Sequence, residues 1–345
     1  MPLTLTPLAG MPEVRAGADL ASLIMAAVGA SGEQLAEGDV LVVSSKVVSK
    51  ALGLWAEAGA DRDAVIAAQT RRLVAERLAG NRVTRIVQAA AGPVMAAAGV
   101  DASNTGGIDR LLLLPDDPDA EARALRAAVM ELSGCRRLGV VVSDTAGRPW
   151  RSGQTDFALG CAGVHVLDDL RGGSDADGRA LTVTTRAIAD ELAAAGDLVK
   201  GKSDGVPVAL VRGAAEWICD DDGPGAAALV RTGPEDWFGY GHAEAVRASL
   251  GVEPGSPAAE ECGVPAVYPE AVSDRVGRAV RVALWGIPDV GVDVGPRDLR
   301  VSAEDPYSLG RAVARLQAAL WGEGLQAHEP TATTGNEAVL QITTS

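Results

Sequence analysis

The sequence predicts a mixed α/β (α+β) fold, and three observations support it. Valine-rich apolar runs that end in turn residues alternate with helical stripes through residues 1–215. The chain is 47% apolar but only 3% aromatic, so alanine-rich helices packed on valine-rich strands are expected. Its 345 residues exceed what one core usually organises, which suggests two domains.

Taken in order, Leu3–Thr6 reads as a short strand and Leu20–Val28 as a helix. Val40–Val43 follows the turn Glu37-Gly38-Asp39 and reads as a buried strand. Asp61–Leu78 reads as a helix carrying Val65, Ala68, Leu73 and Leu78 on one face, and Val83–Val87 as a strand. Asp119–Leu132 is a second strong helical stripe, stepped by Ala122, Leu125, Val129 and Leu132. The run Leu138–Val142 reads as a buried strand ending in a loop over residues 143–153. Val164–Leu167 and Leu181–Val183 read as strands, and Thr184-Thr185 as the cap of a helix striped by Ile188, Leu192, Ala195 and Leu198. Val206–Val211 reads as a strand with Pro207 at its start or on an edge. Composition shifts to a Pro/Gly/Glu linker over 251–265, followed by helices near 271–284 and 308–321 and a strand near 338–343. Domains of residues 1–248 and 249–345 are therefore expected, the second a small α/β extension.

A net charge of −15 argues against non-specific binding to nucleic acid or an anionic membrane. Cys135, Cys161, Cys219 and Cys262 show no CxxC spacing, so no zinc or redox motif is visible, and Cys161 reads as a small buried residue. The first residues lack the basic and apolar regions of a signal peptide, and no apolar run reaches about 18 residues. A cytoplasmic protein that does not enter membranes is expected.

Neither GxxxxGK[ST] nor GxGxxG occurs. Four other segments carry chemistry. Ser44–Lys50 sets Lys46 and Lys50 four apart beside a helix start, which suits a phosphate grip or simply a capped helix. Asp101 and Asn104 are three apart and can face one ligand, or form an Asx turn. Ser143-Asp144-Thr145, with Arg148 and Arg151, offers a carboxylate, hydroxyls and guanidiniums for a metal and a phosphate-bearing ligand, or a turn with a surface ion pair. Lys200–Pro207 joins lysines to glycines that permit close backbone approach, as would a solvated connection.

In combination these segments are far more specific. The wording GMPEV, GDVLVVSSKVVSKALG, AGVDASN, SDTAGRPWRSGQTDFALGCAG and DLVKGKSDGVPVALVRG resembles the coenzyme F-420-0:L-glutamate ligase family, the gamma-glutamyl ligases of the 8-hydroxy-5-deazaflavin coenzyme. The resemblance spans roughly residues 3–248.

The resemblance implies a two-part ligase fold and an intertwined homodimer. It also implies GTP-dependent addition of L-glutamate to the lactyl carboxylate of the deazaflavin, then γ-linked glutamates, through an acyl phosphate. Mn2+ or Mg2+ would assist, with K+ as a further cation. By motif, Gly10, Met11, Pro12, Glu13, Ser45, Lys46, Lys50 and Asn104 would contact GTP, and Lys200, Gly201, Lys202, Ser203, Asp204, Gly205, Val206 and Pro207 would wrap it. Asp101, Asp144 and Thr145 would be metal ligands, a chemically sound set for hard cations. Arg148 and Arg151 are placed near phosphate or substrate carboxylates on their charge alone.

Three features depart from the family. Lys202 falls where a polar metal ligand such as glutamine is usual, and Ile86–Ala98 is blander than the family's Thr/His-containing stretch. Residues 251–345 are about half the length of the nitroreductase-like flavin domain that follows the ligase in some actinobacterial relatives. The alternatives are a metal- and GTP-dependent carboxylate-amine ligase with another acceptor, a non-catalytic deazaflavin-binding protein and, last, a flavin oxidoreductase.

Overall fold

The computed structural model describes residues 2–79, 82–102, 110–201, 204–268 and 270–344. The chain forms two compact units, one of Met1–Arg71 with Gln88–Arg231, the other of Arg72–Val87 with Thr232–Ser345. In chain order the first elements are β1 (Thr4–Pro7), α1 (Leu20–Ala30), β2 (Val40–Ser44), α2 (Ser45–Leu52), α3 (Arg62–Ala68), β3 (Thr70–Ala79), β4 (Arg82–Ala89) and β5 (Val94–Ala96). They continue with α4 (Pro118–Ser133), β6 (Gly139–Arg148), β7 (Arg151–Ala162), β8 (Asp168–Asp169), β9 (Thr185–Arg186), α5 (Ile188–Lys200) and β10 (Val208–Arg212).

The first unit is built on a sheet of order β1-β10-β2-β6-β7. Only the β2–β6 pairing within it is parallel. Strand β2 is apolar at every position from Val40 to Val43 because helices cover both faces of the sheet. Leu41, Val43, Val140, Val142 and Leu210 pack with Ile24 and Val28 of α1 and Ala122, Leu125 and Val129 of α4. Their neighbours Val40, Val42, Val141, Ala209 and Val211 pack on the opposite face with Ile188, Ala189, Leu192 and Ala193 of α5. Small residues set the spacing: a Cβ on Gly196 of α5 would lie 2.7 Å from Val42.

The turns are equally determined. Gly38 has φ +87° and a Cβ there would lie 2.4 Å from Ala215 Cβ, so glycine is required twice over. Asp39 is buried and accepts hydrogen bonds from Arg212 Nε at 3.0 Å and Nη2 at 2.8 Å, tying β2 to β10. Asp117 caps α4 by accepting from Ala120 N at 2.9 Å, Pro118 opens the helix, and Gly134 ends it in the left-handed region.

The second unit takes most of the β3 and β4 strands, with β11 (Val267–Tyr268) parallel to β3. It adds α6 (His242–Ser249), α7 (Pro257–Glu261), α8 (Val272–Leu284), β12 (Val290–Val294), β13 (Asp298–Ala303), α9 (Pro306–Gly322), β14 (Leu325–Ala327), β15 (Thr331–Thr334) and β16 (Glu337–Thr344). A sheet of order β12-β13-β16-β14 carries α8 and α9 on its apolar face, where Val276, Val282, Leu316 and Leu320 meet Leu299, Val301 and Leu340. Buried Glu323 accepts from Arg247 Nη2 and Arg278 Nη2, each at 2.6 Å, and Arg278 also pairs with Glu270.

Several sequence expectations need correction. The helix expected over 61–78 stops at Ala68, and Thr70–Ala79 is a strand. Its arginines and leucines fit either period. Pairing with β4 decides the outcome, placing Val74 and Glu76 on one buried face and Glu76 3.3 Å from Arg85. The loop expected over 143–153 is a long hairpin, since β6 runs on to Arg148 and β7 returns from Arg151. Val164 makes only an isolated bridge with Ile218, and Leu181–Val183 falls in none of the strands. Helix α5 starts from Ala187, not from the expected Thr184-Thr185 cap, and Leu198 is exposed. By packing the chain divides after Arg71, Val87 and Arg231, and residues 249–345 hold α7 and β11–β15 besides the expected helices and last strand.

Gly160 of β7 tests the close contact with α4, because a Cβ there would sit 2.2 Å from the Pro118 carbonyl oxygen. Gly160→Ala should therefore cost about 1–3 kcal/mol, read as a lower urea midpoint at unchanged slope.

Candidate functional site

Four chain segments meet at one end of the first unit's sheet, and the strand directions bring them there. Strands β2 and β6 run parallel with Ser44 opposite Ser143, so their carboxyl ends emerge together. Strand β10 runs against β2 and enters at Val208 opposite Val43, while β1 leaves at Pro7 opposite Ala209. Residues 11–14, 44–50, 143–145, Gly201 and 205–207 therefore surround the carboxyl ends of the parallel pair, the usual place for a ligand in such a sheet. A cavity of about 380 Å3 lies there, with Met11, Glu13, Lys46, Lys50, Asp144 and Lys200 in its walls.

Helix α2 begins directly at the end of β2. Its N-cap Ser44 makes no side-chain capping bond, so the first-turn N–H groups are left to an incoming anion. Lys46 projects from that first turn and lies 2.6 Å from Asp101 Oδ2. One turn on, the ammonium of buried Lys50 is paired with Glu13. Ser45 donates its hydroxyl hydrogen to Asp144 Oδ1 at 3.0 Å.

Burial pushes the Asp144 carboxyl up to about 6, opposed by the Lys46 charge and the Ser45 hydroxyl. Asp101 pairs with the Lys46 ammonium, and Asp144, in the same cavity wall as Lys46, feels that charge. A carboxylate disfavoured by burial, beside a second carboxylate and a hydroxyl, is a donor set that fits a hard divalent cation.

Beneath Asp144 lies a second charged pair. Lys200 Nζ donates to Asp156 Oδ2 and to Ser143 Oγ, both at 2.7 Å, and both ends of the pair are about 95% buried. Ser143 donates to Asp156 Oδ2 at 2.8 Å and Thr145 to Asp156 Oδ1 at 2.7 Å. Burial alone would raise the Asp156 carboxyl, but the Lys200 charge and these hydrogen bonds win and hold it below the usual range. Because Thr145 spends its hydrogen on Asp156, its oxygen lone pairs are turned to other partners.

Met11, Pro12, Glu13, Lys46, Lys50, Asp144, Thr145, Lys200, Gly201, Gly205, Val206 and Pro207 all line this cavity. Asp101 joins it through Lys46, and Ser45 through Asp144. Asn104, Lys202 and Ser203 lie outside the described residues. Lys200, read from sequence as part of a nucleotide loop, is the buried partner of Asp156. Arg148 and Arg151 face each other across the exposed hairpin tip, and neither lines the cavity. Sequence reasoning missed Ser143 and Asp156 as interacting groups. The signal was there, since Asp156 is the one charged residue between Ser152 and Ala162.

A family model described as F420-0:Gamma-glutamyl ligase matches residues 10–213. The chain is 40% identical over 223 residues to the coenzyme F420:L-glutamate ligase of Halobacterium salinarum, covering 59% of this chain and 84% of that protein. It is 39% identical over 229 residues to the protein of the same name from Methanothermobacter thermautotrophicus, covering 62% of this chain and 90% of the relative.

Lys200→Met should leave a buried uncompensated carboxylate and cost about 3–5 kcal/mol, with Asp156→Asn in the same chain recovering much of it. The Asp156 carboxyl is held below its ordinary value on folding, so the pair's contribution is present above the ordinary aspartate value of 3.8 and is lost as pH falls through the depressed value. Denaturation curves from pH 7 to pH 2 should show that acid loss in the wild type and not in the double variant.

Proposed function

Because the chain belongs to the F420-0:gamma-glutamyl ligase family, we propose that it joins L-glutamate to the lactyl carboxylate of the deazaflavin coenzyme F-420-0, consuming GTP. One observation carries the reading: Lys46, at the open N-terminus of α2, pairs with Asp101 and shares a cavity wall with Asp144. That juxtaposition offers cationic and N–H groups for a polyphosphate and carboxylates that would hold a divalent cation.

In the proposed reaction the acceptor carboxylate attacks the γ-phosphorus of GTP. The bond to the β,γ-bridging oxygen breaks, GDP leaves, and an acyl phosphate forms. The neutral amine of glutamate then attacks the acyl carbon, inorganic phosphate departs, and the amine gives up one proton to solvent. Lys46 and the first-turn N–H groups of α2 bind and orient the phosphates. Positive φ at Gly201 and Gly205 shapes the loop so that backbone can approach the nucleotide closely. Asp101, Asp144 and Thr145 would hold Mn2+ or Mg2+, which when bound neutralises charge developing on phosphate oxygens. The Lys200–Asp156 pair holds the Thr145 hydroxyl in position.

The same proposal includes a homodimer in the cytoplasm. Among the described residues no helix is long and apolar enough to cross a membrane.

Purified protein with Mn2+, L-glutamate and the deazaflavin should add one or more glutamyl masses with GTP and far fewer with ATP, read by mass spectrometry. Product on another acid, with none on the deazaflavin, would move the assignment to a ligase of different acceptor. Asp144→Asn should fold normally, because burial disfavours the charge that it removes, yet lower turnover by about 10²–10³-fold at matched metal concentration.

A further inference from the structure

A second and larger cavity, of about 820 Å3, lies in the first unit beside the nucleotide-facing one. The same hairpin walls both. Asp144 and Thr145 of β6 face the first cavity and Ala146 and Arg148 the second, with Asp156 common to the two. Nothing in the reading above uses the second cavity. Its volume is in the range of sites for small organic ligands.

Its lining has two chemistries. Phe157, Leu159, Leu229 and Val230 give it an apolar wall. Several acidic side chains also line it, but most are committed to internal partners. Asp119 accepts from Cys161 N at 2.8 Å and Ala226 N at 2.7 Å. Asp190 accepts from Ala158 N at 2.9 Å, and Asp156 is neutralised by Lys200. Glu191 pairs with Arg186 at 2.8 Å, and Asp117 caps α4. By contrast the side chains of Arg71, Arg148 and Arg231 hold no ion pair or hydrogen bond among the described residues. Three guanidiniums without an internal partner therefore stand at the rim and can take anionic groups, while every lining carboxylate except Asp116 is held by backbone N–H groups or an ion pair.

We propose that this second cavity binds the acceptor, an aromatic ring system bearing anionic groups. The ring system lies on the wall containing Phe157, and the anionic arms reach the rim arginines. The reacting carboxylate then passes the Asp156 junction toward the phosphates in the first cavity. The junction does not repel it, because Asp156 is already paired with Lys200. The assignment rests on the ligase reading and adds to it the acceptor's location and the residues that select it.

Ala194 of α5 lines the second cavity and not the first, so Ala194→Trp fills it without touching the nucleotide groups. With the deazaflavin as probe, Ala194→Trp should raise the acceptor KM at least tenfold and weaken its binding by calorimetric titration equally. KM for GTP should stay within twofold. Arg71→Ala/Arg231→Ala, at two exposed positions, should raise the acceptor KM severalfold with a loss that high salt reproduces in the wild type. It supplies the test if the tryptophan variant does not fold. An active wild type whose folded variants keep the wild-type acceptor KM would overturn this location and leave the ligase reading standing. A wild type that forms no glutamyl product would overturn the ligase reading. Titration of the deazaflavin then still decides the cavity, since tight binding that survives both substitutions would remove it.

Discussion

The parallel pairing of β2 with β6 is the constraint on which the site depends. With Ser44 opposite Ser143, the first turn of α2 and the Asp144-Thr145 pair leave the sheet side by side. Neither segment alone has an outward-pointing carboxylate beside a helix N-terminus. Their union requires both faces of the strands to be covered, and the valine runs of β2 and β6 reflect that.

Each lysine that reaches the cavity is matched with a carboxylate. Lys46 meets Asp101, Lys50 meets Glu13, and Lys200 meets Asp156. The pairs differ in how replaceable they are. Lys200–Asp156 is fully enclosed and tied to two hydroxyls, so it acts as a fixed support. Lys46–Asp101 retains access to solvent and lies where a phosphate could take over the ammonium and a cation the carboxylate. In a chain of net charge −15 these pairs bring ammonium groups to the cavity, each already balanced by a carboxylate.

The β6–β7 hairpin has a second role as a partition. Its register shifts between Val142 and Ser143, next to the residues that hold the charged groups. Such an irregularity re-aims side chains where a regular ladder would alternate them. The result is one hairpin with polar groups toward the smaller cavity and, further out, an apolar and arginine-rimmed wall toward the larger one.

Much of this was readable in the amino-acid order. The buried strands at Val40 and Val140, the helices α1, α4, α8 and α9, and the grouping of Glu13, Lys46, Lys50 and Asp144 follow from local periodicity and motif wording. Those signals live in neighbouring residues, where spacing and side-chain type suffice. What only the tertiary structure decided was pairing. Thr70–Ala79 became a strand because β4 offered a partner. The segment after Val142 became a hairpin because β7 returned along it. Lys200 became the buried counter-ion of Asp156, which lies 44 positions away in sequence. Long-range hydrogen bonds and the desolvation of paired charges are properties of the folded surroundings, and no local window of sequence contains them.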